Sequence, residues 1–153
     1  MTISPATGSG GNLSTTLESK DSAAEITGIL HNYRVVAVVG LSDKPERPSY
    51  RVAQYLKEHG YRIVPVNPVR QEILGEKCYA TLQDIPFPVE IVDIFRVVDA
   101  IPKIVDDAIA VGAKVVWMQQ GLEEPDSARK AKQAGLQVVM DRCLKIEHAQ
   151  RHR

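Results

Sequence analysis

The 153-residue chain predicts a single Rossmann-like α/β domain, a doubly wound parallel sheet with strand order 3-2-1-4-5-6. Three observations carry that expectation. Short β-branched apolar runs recur without polar alternation, as in strands covered on both faces. Segments with apolar residues at helical spacing alternate with those runs, and Gly60, Gly112 and Gly135 close three of them. Strands that alternate with helices join through right-handed crossovers, which make neighbouring strands parallel.

Residues 1–22 are rich in Ser, Thr and Gly, with Gly8-Ser9-Gly10-Gly11 in the middle, and read as a flexible leader. The domain itself is expected over 23–153. A helix from Ser22 carries Ile26, Ile29 and Leu30 on one face and ends near Asn32. Val35-Val36-Ala37-Val38-Val39 is the first strand, and Gly40 ends it. A polar loop then leads through Pro48 to a helix over Ser49–His59, with Val52, Ala53 and Leu56 at helical spacing and Ser49 as its N-cap. Arg62 to Val66 is the second strand, stopped by Asn67-Pro68. Gly75 marks a turn before a short edge strand, Glu76 to Tyr79. Thr81 to Ile85 is at most one or two helical turns, closed by Pro86 and Pro88. Glu90 to Phe95 is the next strand. Asp99 is placed to cap a helix through Val111, with Pro102 in its first turn and Ile101, Ile104, Val105, Ala108 and Ile109 as its apolar stripe. The strand Lys114 to Met118 has Trp117 as a core residue. A helix over Pro125–Ala134, the strand Gln137 to Met140 and a short helix within Ile146–Arg153 complete the order.

Bulk properties exclude some functions. Lysine plus arginine number 19 and aspartate plus glutamate 19. The zero net charge argues against a broad basic surface, so no nucleic-acid partner is expected. No apolar run approaches the roughly 20 residues of a membrane span, and no basic region precedes an apolar core at the N-terminus. The cytoplasm is the expected location. Cys78 and Cys143 have no metal-like spacing, and a disulfide between them is not expected there.

The carboxyl ends of parallel strands are where such sheets bind ligands. Gly40, Asn67, Phe95-Arg96, Gln119–Gly121 and Asp141-Arg142 all fall there. The strand, the glycine turn, the basic loop with Lys44 and Arg47, and the helix start at Ser49-Tyr50 together make a phosphate-binding device. Free backbone N–H groups and the positive end of the helix dipole point above the strand. A nicotinamide dinucleotide is one candidate ligand, which would make the chain an NAD(P)-dependent oxidoreductase. It lacks two expected features. The glycine turn would need glycine where Ser42 and Pro45 stand, and the second strand ends in Val66-Asn67-Pro68 without a carboxylate.

A second candidate comes from resemblance. Val38 to Lys44, Tyr61 to Pro68, Ile73-Leu74-Gly75, Val92 to Arg96, Val116 to Gly121 and Asp141 to His148 resemble, in that order, the single-domain CoA-binding proteins. Those are similar to the N-terminal domain of the succinyl-CoA synthetase alpha subunit. The resemblance runs from about Ile29 to His148 and leaves the leader uncovered. It implies that Gly40, Leu41, Ser42 and the residues to Lys44 wrap a diphosphate, and that Val66, Asn67 and Pro68 flank adenosine. Arg70 matches a lysine near the adenosine and its 3′-phosphate. Phe95 and Arg96 would line the crevice, with Gln119 to Gly121 toward the pantetheine arm. CoA carries a diphosphate and a 3′-phosphate, and Lys44, Arg47, Arg70 and Arg96 are cations suited to them.

Ligase activity is not carried over. The synthetases phosphorylate a histidine of a second domain, whereas His31, His59, His148 and His152 here fall in helices or the tail. No Ser-His-Asp set, placed carboxylate pair or metal cluster is legible, so no catalytic or metal-binding residue is assigned. The reading is a domain that binds CoA or an acyl-CoA without chemistry of its own. The alternatives are the oxidoreductase and a CoA-handling subunit of an acyl-CoA ligase. Cys143 stays open between two roles: a small core side chain, or a reactive thiol beside Arg142 and Lys145.

Overall fold

In a computed structural model, which describes residues 23–152, the apolar runs become a five-stranded parallel sheet. The leader expected over 1–22 lies outside the described residues. The chain divides into two units, 1–32 and 33–153. In the first, the described residues form one helix, α1 (23–32), with Ile26, Ile29 and Leu30 buried as their spacing predicts.

The second unit holds the sheet. Its strands are β1 (Val35–Val39), β2 (Arg62–Val66), β5 (Ile91–Ile94), β6 (Val115–Met118) and β7 (Gln137–Val139). They lie in the order β2-β1-β5-β6-β7, and every neighbouring pair is parallel. The fold class is the Rossmann-like one expected, but the strand order differs in one detail. The expected third strand, Glu76 to Tyr79, does not form. Instead β3 (Glu72–Ile73) pairs antiparallel with β4 (Glu76–Lys77) around Leu74 and Gly75, which both have positive φ. Only Tyr79 reaches the sheet, as a single parallel bridge to Val66. Its N–H donates to the Pro65 carbonyl at 3.0 Å and its carbonyl accepts from the Asn67 N–H at 2.9 Å. The intervening chain is taken up by the Asn67 turn and this antiparallel hairpin in place of a helical crossover.

Helices cover both faces. Ala37, Val39, Val64, Val66, Val92, Ile94, Val116 and Met118 share one core with α3 (Ile101–Ala110) and α4 (Pro125–Gln133). Alternate residues, among them Val36, Val38, Ile63, Ile91 and Trp117, are buried on the opposite face. There α2 (Pro48–Glu58) contacts β2 and packs with α5 (Leu144–Arg151). Trp117 is fully buried, and its indole N–H donates to the Arg142 carbonyl at 2.8 Å.

Three helix starts differ from expectation. α2 begins at Pro48 with Arg47 as N-cap, and no side chain caps it. Proline lacks an N–H and suits the first helical position, which moves Ser49 inside the first turn. Likewise Asp99 caps nothing: it sits in a 3-10 turn, Val98–Ala100, that leads into α3. The last helix opens at Leu144, two residues before the expected Ile146. One core residue stands apart. Asp93 on β5 is fully buried between Val38 and Trp117, both carboxylate oxygens lack a partner among the described residues, and burial pushes its pKa well above the usual range.

Candidate functional site

The crevice is built where β1, β2 and β5 end together. Gly40 has φ +89°, and its N–H donates to the Val66 carbonyl at 3.0 Å. The Phe95 N–H donates to the Val39 carbonyl at 2.8 Å. A Cβ at Gly40 would run into the Phe95 carbonyl oxygen and come within 2.9 Å of Arg96 Cδ. Glycine is required here by both conformation and space.

Side chains from two loops then fix the backbone above β1. Asn67 Nδ2 donates to the Leu41 carbonyl at 2.9 Å, while its Oδ1 accepts from the Val69 and Arg70 N–H groups at 2.8 and 3.1 Å. The Ser42 N–H donates to Ser49 Oγ at 2.9 Å, and Ser42 Oγ accepts from the Lys44 N–H at 3.1 Å. Ser49 thus ties the loop to the helix rather than capping it. The N–H groups of Ser49 and Tyr50 have no partner inside α2, so its positive end is open.

A cavity of about 750 Å³ lies over these strand ends and brings together Gly40, Ser42, Arg47, Ser49, Phe95, Arg96 and Gln119. Pro48, Val52, Val97, Gln120, Leu122 and Cys143 also line it. A space of about 400 Å³ holds Leu41, Asn67, Pro68 and Arg70 beside Gly40 and Ser42. A third, of about 220 Å³, includes Val66. Arg96 lines all three and so stands at their junction. Lys44, Tyr50 and Gly121 line none of these three spaces. Lys44 is exposed and Tyr50 half-buried. Gly121, at φ +91°, forms a turn whose N–H donates to Asp141 Oδ1 at 2.7 Å.

The charges are distributed unevenly. Arg70 Nε pairs with Asp43 Oδ2 at 2.8 Å, a contact with no signal in the sequence because the two residues meet only across the loops. Lys44, Arg47 and Arg96 have no side-chain ion pair or hydrogen bond among the described residues. Arg96 therefore pairs with neither Asp93 nor Asp99. The two cations beside Cys143 are turned elsewhere. Arg142 Nη1 lies 3.5 Å from Glu147 Oε2, and Lys145 Nζ lies 5.6 Å from the centre of the Tyr55 ring. Among the described residues no group of three His, Cys, Asp or Glu is placed to hold a metal ion. No helix among them is long and apolar enough to cross a membrane.

Open cations, an uncapped helix start and a glycine-floored crevice lie together at the parallel strand ends of a Rossmann-like domain. Residues 34–149 match the model of the CoA binding domain, and the chain belongs to that family. It is 41% identical over 128 residues to the uncharacterized protein YneT of Bacillus subtilis, covering 84% of this chain and 95% of that one. A structure of a hypothetical protein from Pyrococcus horikoshii OT3 superposes with a TM-score of 0.81 at 44% identity, covering 84% of this chain and 90% of that chain. The ADP-forming acetate–CoA ligase II of Archaeoglobus fulgidus is 29% identical over 115 residues, which span 72% of this chain but 17% of the ligase. The match to that ligase is thus to one small region of it.

Proposed function

We propose that the chain binds CoA or an acyl-CoA in this crevice, without catalysis by its own residues. The observation that carries the reading is the pair of unpaired guanidinium groups, Arg47 and Arg96, in one cavity with the uncapped start of α2. Cations held without a counter-ion at a helix N-terminus suit phosphate groups. In this reading Gly40, Leu41, Ser42 and Lys44 hold the diphosphate, with Arg47 and the Ser49 and Tyr50 N–H groups. Val66, Asn67 and Pro68 flank the adenosine. Arg70, beside it, meets the 3′-phosphate. Phe95 and Arg96 wall the crevice, and Gln119 and Gly121 lie toward the pantetheine arm. Asn67 hydrogen-bonds loop backbone through both ends of its amide, and the second strand ends without the carboxylate that would hold the ribose of NAD; the nearby Asp43 is paired with Arg70. The expected cytoplasmic location belongs to this proposal.

Calorimetry with CoA, 3′-dephospho-CoA and NAD tests it. CoA binds and NAD does not; comparable or tighter NAD binding overturns the reading. Arg70→Ala weakens CoA about tenfold or more, since a charge-assisted contact contributes about 1.5–3 kcal/mol. The same change leaves 3′-dephospho-CoA nearly untouched if Arg70 meets the 3′-phosphate. An equal loss for both ligands would show that its part is to neutralise Asp43.

A further inference from the structure

We propose that Cys143 is a thiol–disulfide exchange site for CoA; the inference rests on the reading of the crevice given above. Cys143 stands between β7 and α5, is partly exposed, forms no disulfide and lines the same cavity as Gly40 and Arg47. Parallel strands bring these residues to one edge of the sheet. β7 lies three strands from β1, about 14 Å at the usual spacing. A pantetheine arm anchored by its diphosphate above β1 runs along that edge and ends in a thiol.

A second observation marks the path between them. Gln119, at the end of β6, is 6% exposed and lines the cavity. Its Oε1 accepts from the Leu144 N–H at 3.2 Å, and its Nε2 has no partner among the described residues. That amide N–H is a donor at the cavity wall, and the pantetheine arm has two amide carbonyls. The bond to Leu144 places this donor beside Cys143, the preceding residue. With Arg142 and Lys145 turned away, the inference is carried by position and not by neighbouring charge.

The step balances with CoA disulfide as co-reactant. The Cys143 thiolate attacks one sulfur, the Cys143 Sγ–S bond forms and the S–S bond of CoA disulfide breaks. One CoA leaves as thiolate and takes up the proton that Cys143 released. One disulfide replaces another, so no further oxidant is needed.

Intact mass after incubation with CoA disulfide tests this, with glutathione disulfide at equal concentration alongside. Wild type, Cys143→Ser and Cys78→Ser are compared. Cys78 is buried and lines none of the three spaces, and burial pushes its thiol pKa up. The expected result is one CoA per chain on wild type and Cys78→Ser, and none on Cys143→Ser. It forms at least about tenfold faster than the glutathione adduct, because binding raises the local concentration of the disulfide. No adduct, an adduct that tracks Cys78, or equal rates for both disulfides overturns the inference. Calorimetry with acetyl-CoA, whose thioester cannot exchange in this way, separates the two readings. Acetyl-CoA binding without an adduct rejects only the role of Cys143; absence of both rejects CoA binding as well.

Discussion

The two ends of α2 have opposite characters. At the N-terminal end the helix is uncapped, and Lys44, Arg47 and the nearby Arg96 are unpaired among the described residues. At the C-terminal end the polar groups close on one another. Tyr55 Oη and His148 Nδ1 are 2.8 Å apart, His59 Nδ1 lies 2.7 Å from the Tyr55 carbonyl, and Lys57 Nζ lies 3.0 Å from Glu76 Oε2. The rings of Tyr55 and His59 are stacked, as are those of His148 and His152. A satisfied cluster stabilises the fold; an unsatisfied one facing a cavity is ready for a ligand. Polar residues of similar types therefore take different roles within one helix length.

The largest effect that tests this contrast comes from glycines at either end. Gly40→Ala meets the Phe95 carbonyl at a positive φ, a conformation that alone costs about 1–3 kcal/mol. The expected outcome is a large fall in melting temperature together with loss of CoA binding. Gly60, just beyond the other end, has φ +91° and nothing within 4 Å of an added Cβ. Gly60→Ala should cost about 1–2 kcal/mol of strain and leave CoA affinity unchanged. Calorimetry and thermal melts of the two variants read both effects.

Next in size is an exchange of readouts between the ends. Arg96→Ala should weaken CoA by about tenfold to a hundredfold, from about 1.5–3 kcal/mol, with no fall in melting temperature. His148→Phe removes the partner of the Tyr55 hydroxyl and should lower stability by about 1–3 kcal/mol without changing CoA affinity. If Arg96→Ala lowers stability as well, the two ends are not separate in function.

A smaller effect lies in pH. Burial, and then the neighbouring His152, His59 and Arg34, push the His148 pKa from 6.5 down to about 4. The folded state thus holds the neutral ring. Its contribution to stability is complete above pH 6.5 and is lost as pH falls toward about 4. The melting temperature of wild type should fall across that window, and His148→Gln should flatten the fall. CoA affinity measured over the same window should not follow it.

The smallest effect belongs to Asp93, which is unsatisfied but enclosed. Its raised pKa means that the folded state keeps a proton the unfolded state releases. Stability from this group is present below the ordinary carboxylate pKa and is lost as pH rises toward the folded value. Asp93→Asn should therefore raise the melting temperature at pH 8 and change it little near pH 4, with CoA binding intact. A change in CoA affinity would mean that an unsatisfied group can act on the crevice without lining it.

What the sequence determined by itself is what short-range chemistry controls. Valine runs without polar alternation specify buried strands, apolar spacing specifies helices, and glycine at a strand end specifies a turn, because each depends on residues a few positions apart. The parallel arrangement and the edge that carries the proposed site follow from the alternation of those elements. Tertiary structure alone decided how polar groups were matched. Asn67 holds Leu41 from 26 positions away, Gly40 is confined by Phe95 just past the end of another strand, and Arg70 is paired with Asp43 while Arg96 pairs with neither Asp93 nor Asp99. The third strand shrank to Tyr79 because the chain before it pairs with itself as a hairpin. A charged side chain reads the same in sequence whether it is paired or open. Which cations remain free for a ligand is fixed only when distant loops close on one another.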